Sequence, residues 1–130
     1  MPTTALYAAL LTPLMLVLAA RVIRHRRVQR VEIGDGDDPE LLRRMRVHAN
    51  FIETVPFALI LLGLNEQLGV SPWLLHALGA PLLVGRYAHA YGLSQTPHIM
   101  RLRVLGMVLT LTPIGLAAAV ALVASLARLV

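Results

Sequence analysis

Runs of uninterrupted hydrocarbon alternate with short polar knots along this chain. Residues 1–20 carry no charged side chain, 54–65 are almost wholly apolar, 67–85 hold no Arg, Lys, Asp or Glu, and 104–127 are uncharged. About 20 residues of helix cross a hydrocarbon layer of roughly 30 Å, so these four segments are long enough, or nearly so, to span a membrane. The pattern predicts four helices, at about 4–24, 39–67, 72–93 and 100–129. Pro13, Pro56, Pro81 and Pro113 fall inside them, which lipid-embedded helices tolerate when neighbours re-satisfy the freed carbonyls.

The polar knots fix the boundaries. RVIRHRRVQRV, residues 21–31, ends the first helix on a basic cluster. EIGDGDDPE follows, with Gly34, Gly36 and four acids before Pro39. It reads as a loop closed by Asp38 as N-cap with Pro39 at the first helical position. The acids do not follow the alternating pattern of a calcium loop, so a solvated turn is expected. Gly69, Ser71 and Pro72 make a tight turn, which sets the second and third helices antiparallel. SQTPHIMRLR, residues 94–103, forms the third connection. No internal repeat or linker divides the chain, so one all-α domain over residues 1–130, an integral membrane four-helix bundle, is expected.

Composition sharpens this picture. Of 130 residues, 57% are hydrophobic and only 15% charged, too few charges for the surface of a soluble domain this small. All 12 basic residues are Arg, and eight of them lie from Arg21 to Arg46. The positive-inside rule then places the first and third connections in the cytoplasm and both termini on the opposite side. The first segment lacks a basic leader and a clear cleavage site, so it reads as a retained span rather than a secretion signal. A net charge of +5 is carried by arginines at membrane ends with no nucleic-acid motif, which argues against nucleic acid as a partner. Cysteine is absent, so any thiol chemistry must come from a bound ligand. A Lys-free, Arg- and Ala-rich short chain suggests a bacterial inner membrane.

The stretch RMRVHANFIETVPFALILLGL, residues 44–64, holds the candidate chemistry. Arg46, Asn50 and Glu53 stand at i, i+4 and i+7, stacking a cation, an amide and a carboxylate along one face. An ionisable group in a membrane helix costs at least about 2.5–3.5 kcal/mol near the centre, so it turns toward protein or a polar cavity. In the third helix, GRYAHAYG puts Arg86 and His89 on one face, with Tyr87 and Tyr91 on a neighbouring one. Two readings stand. Glu53 pairs an arginine and merely fixes packing, or the arginine excess at this end attracts an anion. His48 and His76 lack a second ligand at helical spacing, so no metal site is expected.

RMRVHANFIETVP, followed by GRYAHAYG and an Arg-containing start to the fourth helix, resembles the membrane-associated proteins in eicosanoid and glutathione metabolism, the MAPEG family. The resemblance covers nearly the whole chain, and its R-x-H-x-N-x-x-E core is quite specific. It implies a homotrimer of four-helix subunits with glutathione bound between neighbours near the cytoplasmic face. The family includes microsomal glutathione transferases and the leukotriene and prostaglandin E synthases. By this resemblance Arg46, His48, Asn50 and Glu53 hold the peptide part of glutathione, Arg26 meets a carboxylate, and Arg86 and His89 line the same pocket. Arg103, with Arg101 as rival, stabilises the thiolate. The implied activity is a glutathione-dependent transferase or peroxidase acting on hydrophobic electrophiles or lipid hydroperoxides, with no metal. The chain departs from the pattern at Leu93, where several catalytic relatives have tyrosine, at Ala49 in place of an arginine, and at Thr54, where some have tyrosine. These departures keep open an alternative, a non-catalytic binding or scaffold protein of the same fold.

Overall fold

The computed structural model describes residues 1–129, which form four helices and no strand. These are α1 (Pro2–Gln29), α2 (Pro39–Gln67), α3 (Pro72–Ser94) and α4 (Met100–Leu129). The first extends five residues past the expected Arg24. Its arginines continue the helix to a left-handed cap at Arg30, whose N–H bonds the Arg26 carbonyl.

The predicted start of α2 is realised in atomic detail. Asp38 accepts from the N–H groups of Glu40 at 2.9 Å and Leu41 at 3.2 Å, satisfying two donors that a helix end leaves orphaned. His25 of α1 bonds the other oxygen of Asp38 at 2.7 Å, clamping α1 to the N-terminus of α2 across the loop. The opposite end is tied by groups the sequence pattern did not mark. Glu66, in the last turn of α2, accepts from the Thr3 and Thr4 N–H groups and the Thr4 hydroxyl, so it caps α1 from a distance of 62 to 63 residues. Arg128 donates to the Leu68 carbonyl just beyond α2.

α2 and α3 form the middle of the bundle, with α1 and α4 on opposite flanks and out of contact with each other among the described residues. Leu41, Val47, Phe51, Val55, Ala58 and Leu62 recur at helical spacing and bury one stripe of α2. With Leu11 and Leu18 of α1 and Leu82 and Ala90 of α3, most of that stripe forms one core; Tyr7, Leu62, Leu75, Leu78 and Ala117 form a second. Asn65, fully buried, donates to the Leu61 and Ala117 carbonyls and ties α2 to α4.

α1, α2 and α4 are long and apolar enough to cross a membrane. α3 does not reach the same standard, because His76, Arg86, His89 and two prolines dilute its leucines. Its Arg86 and His89 are buried against protein. α3 packs most extensively on α4, and the approach is backbone to backbone. A Cβ on Gly106 would lie 2.6 Å from the Gly85 carbonyl oxygen and from the His89 backbone nitrogen, and one on Gly92 would meet the Leu102 Cβ at 2.7 Å. Close approach of small residues is how helices associate where lipid removes the hydrophobic driving force.

Candidate functional site

The α3–α4 seam sets the chemistry. Because Gly106 admits the α3 backbone at His89, His89 and Arg103 line one groove of about 380 Å³ together with Met107, Val108 and Leu111. The groove is polar at the Met100 end and apolar down α4. Arg101, the rival for Arg103, is exposed and outside this lining. His89 is only 4% exposed, and among the described residues neither its Nδ1 nor the buried Nε of half-buried Arg103 has a partner.

Arg86 is the most unusual residue of the molecule. Its side chain is 1% exposed, yet no carboxylate meets it among the described residues. Nη1 donates to the Thr54 hydroxyl at 2.7 Å and Nη2 to the Asn50 amide oxygen at 2.9 Å, while Nε is buried and unpaired. Thr54 in turn donates to the Asn50 carbonyl at 2.8 Å, which fixes its oxygen for the arginine. Removing a cation from water costs several kcal/mol, and two neutral acceptors offset only part of that. Positive charge is therefore held, uncompensated, between α2 and α3.

The stacked triad on α2 is split by the fold. Asn50 turns in to Arg86, whereas Arg46 and Glu53 are exposed and form no ion pair among the described residues. At about 100° per residue, Asn50 lies about 40° from Arg46 toward the core stripe of Val47 and Phe51, while Glu53 lies about 20° the other way. Glu53 therefore pairs no arginine of this chain, and the packing alternative fails within it. His48 is half-buried on the same helix. Arg26 folds back over the first connection, with Nη1 3.4 Å from the Glu32 carbonyl and Nη2 3.3 Å from the Met45 sulfur.

Thr54 was missed as a site residue. The sequence marks it only as a departure from tyrosine, but its position, about 80° round from Arg46, places its hydroxyl at the α2–α3 contact. Leu93 packs against the core, and Tyr91 is exposed, so neither supplies a phenol to Arg86. The Tyr87 hydroxyl donates to the Leu10 carbonyl of α1 instead.

Comparison with known proteins agrees with this architecture. The MAPEG family model matches residues 4–126. The chain is 39% identical over 89 residues to the "Inner membrane protein YecN" of Escherichia coli strain K12, which covers 68% of each chain, and it matches YecN of Escherichia coli O6:H1 equally. A four-helix membrane bundle with its arginine, asparagine and histidine gathered between α2, α3 and α4, matched by that model over nearly its full length, belongs to the MAPEG family.

Proposed function

We propose that this protein is an inner-membrane, glutathione-dependent transferase or peroxidase. One observation carries the reading: Arg86 is buried against neutral oxygens only, so the site is cationic and suited to an anionic ligand. Glutathione brings two carboxylates and an ionisable thiol. Asn50 and Arg86 offer amide and guanidinium groups, and Arg46 and Glu53 stand on the adjacent outward face for the ligand's carboxylate and amino groups. His48 and Arg26 complete the set at the same end of the bundle.

An ionised Glu53 beside exposed Ile52 and Phe57 is costly against lipid, which favours a second subunit on that face and hence the homotrimer. Arg103 is the residue assigned to the thiolate. A thiol of pKa near 8.5 needs about 2.7 kcal/mol of preferential stabilisation to ionise two pH units lower, within reach of one desolvated arginine. The substrate enters along the apolar part of the α3–α4 groove. The thiolate sulfur bonds to an electrophilic carbon as the leaving group departs, or takes the outer oxygen of a lipid hydroperoxide. The second route breaks the O–O bond to leave the alcohol and a sulfenic acid, which a second glutathione converts to the disulfide and water.

Calorimetric titration of glutathione onto purified protein, together with conjugation assays, tests this. Arg46→Ala, Asn50→Ala and Glu53→Gln are expected to weaken binding, each by about ten-fold. Arg103→Ala is expected to retain binding and lose conjugation, while Arg101→Ala keeps both. Binding that survives all three α2 substitutions would overturn the site. A second reading, binding without catalysis, is favoured by Leu93 packing into the core and by Tyr91 pointing out; equal background rates in wild type and Arg103→Ala would establish it.

A further inference from the structure

A second cationic feature, lined by none of the residues assigned to glutathione, lies on the seam between α1 and its neighbours. A groove of about 600 Å³ is lined by Val17, Ala20, Arg21, Arg24, His25 and Arg44, at the end of the bundle that carries the first connection. Its charges are unbalanced. Asp38 is taken by His25, and Glu40 is shared by Arg43 and Arg44. Neither Arg21 nor Arg24 forms an ion pair among the described residues. Arg21 is aimed by a 2.9 Å bond to the Ser94 hydroxyl, and Arg44 is held against α1 through the Arg21 carbonyl at 3.4 Å.

A second, apolar groove lies further along the same face of α1, toward the middle of the membrane. Leu10 lies seven residues, two helical turns, from Val17 and therefore on its face of α1. With Leu83, Val84 and Tyr87 of α3 it lines a second groove of about 510 Å³. From Arg21 to Leu10 the helix rises about 16 Å, close to one leaflet of a hydrocarbon layer of roughly 30 Å. A cationic groove and an apolar groove on one face of α1, spaced over about one leaflet, match the charge and length of one molecule.

We propose that this seam is a binding site for an anionic phospholipid. The headgroup phosphate sits between Arg21 and Arg24, with Arg44 behind it, and an acyl chain runs past Val17 to Leu10 and Tyr87. Lipid bound there buttresses α1 against α3 at the end where α1 carries its arginines. Arginines at a membrane surface attract anionic lipid in general. This site differs in requiring Arg21 and Arg24 rather than any two cations of the cluster.

Native mass spectrometry of the full-length protein in mild detergent, titrated with phosphatidylglycerol, phosphatidylcholine or inorganic phosphate, tests the assignment. Tight, saturable binding of phosphatidylglycerol is expected, weakened about ten-fold or more by Arg21→Gln with Arg24→Gln. Arg27→Gln with Arg30→Gln, which removes the same charge from the same helix end, is expected to leave it unchanged. Arg24→Gln alone alters an exposed side chain with no protein partner, so its expected several-fold weakening is free of folding effects. Equal losses in the two double variants, or equal binding of phosphatidylcholine, would overturn the proposal. Displacement of the lipid by inorganic phosphate at comparable concentration would reassign the pocket to a free anion and overturn it as well.

Discussion

At the residue scale the molecule turns on one arginine. Arg86 is held by Asn50 and Thr54, and Thr54 is itself aimed by the carbonyl of Asn50. Replacing Thr54 with valine keeps the volume but removes an acceptor from a buried cation. We expect a loss of about 1–3 kcal/mol, read as a lower melting temperature in detergent, while Thr54→Ser stays near wild type. An unchanged valine variant would mean that Arg86 does not depend on the Thr54 hydroxyl. Arg86, Asn50 and His89 were legible in the sequence because a polar residue in an apolar helix stands out. Thr54 was not, since a threonine is ordinary in such a helix and only the α2–α3 contact gives its hydroxyl a task.

Among the elements, the caps and the glycine seam do most to place the site. The Asp38 cap could be read from Asp–Pro after a Gly-rich loop. Glu66 capping α1 could not, because that contact joins residues 62 to 63 positions apart. The bond from His25, with the N–H groups of Leu41 and Glu40, holds the Asp38 carboxyl below its ordinary value of 3.8. A carboxyl depressed on folding adds stability that is present above its unfolded pKa and lost as pH falls through the folded one. Unfolding scans are therefore expected to show a loss in acid below about pH 4 that Asp38→Asn reduces; identical profiles would remove the clamp from the account. On the other seam, Gly106→Ala puts a Cβ within 2.6 Å of the α3 backbone. Overpacking of this kind costs about 1–3 kcal/mol, and by shifting α4 it is expected to lower conjugation more than glutathione binding, because Arg103 moves with that helix. A fully active Gly106→Ala would show that the α3–α4 spacing does not set the reactive groove.

For the whole molecule, the hydropathy pattern gave the four helices and their order, since long apolar runs have few alternatives. The third carries the least apolar span of the four, and two of its polar residues meet protein: Arg86 bonds Asn50 and Thr54 of α2, and His89 faces α4. The pattern also grouped Arg46, Asn50 and Glu53 on one face, where three-dimensional packing divides them between the subunit's interior and its outer surface. On that outer surface Glu53 stands beside exposed Ile52 and Phe57, which is the observation behind the proposed trimer. Sedimentation in density-matched detergent is expected to give three subunits, and Glu53→Arg to shift the assembly toward monomer. The central claim, a cationic site that ionises bound glutathione, is tested most directly by the ultraviolet difference spectrum of the purified protein titrated with glutathione over roughly pH 6 to 9. The account predicts a saturable thiolate band that appears well below the pKa of the free thiol and is lost in Arg103→Ala. Saturable binding with no thiolate band at any pH below that pKa would contradict it.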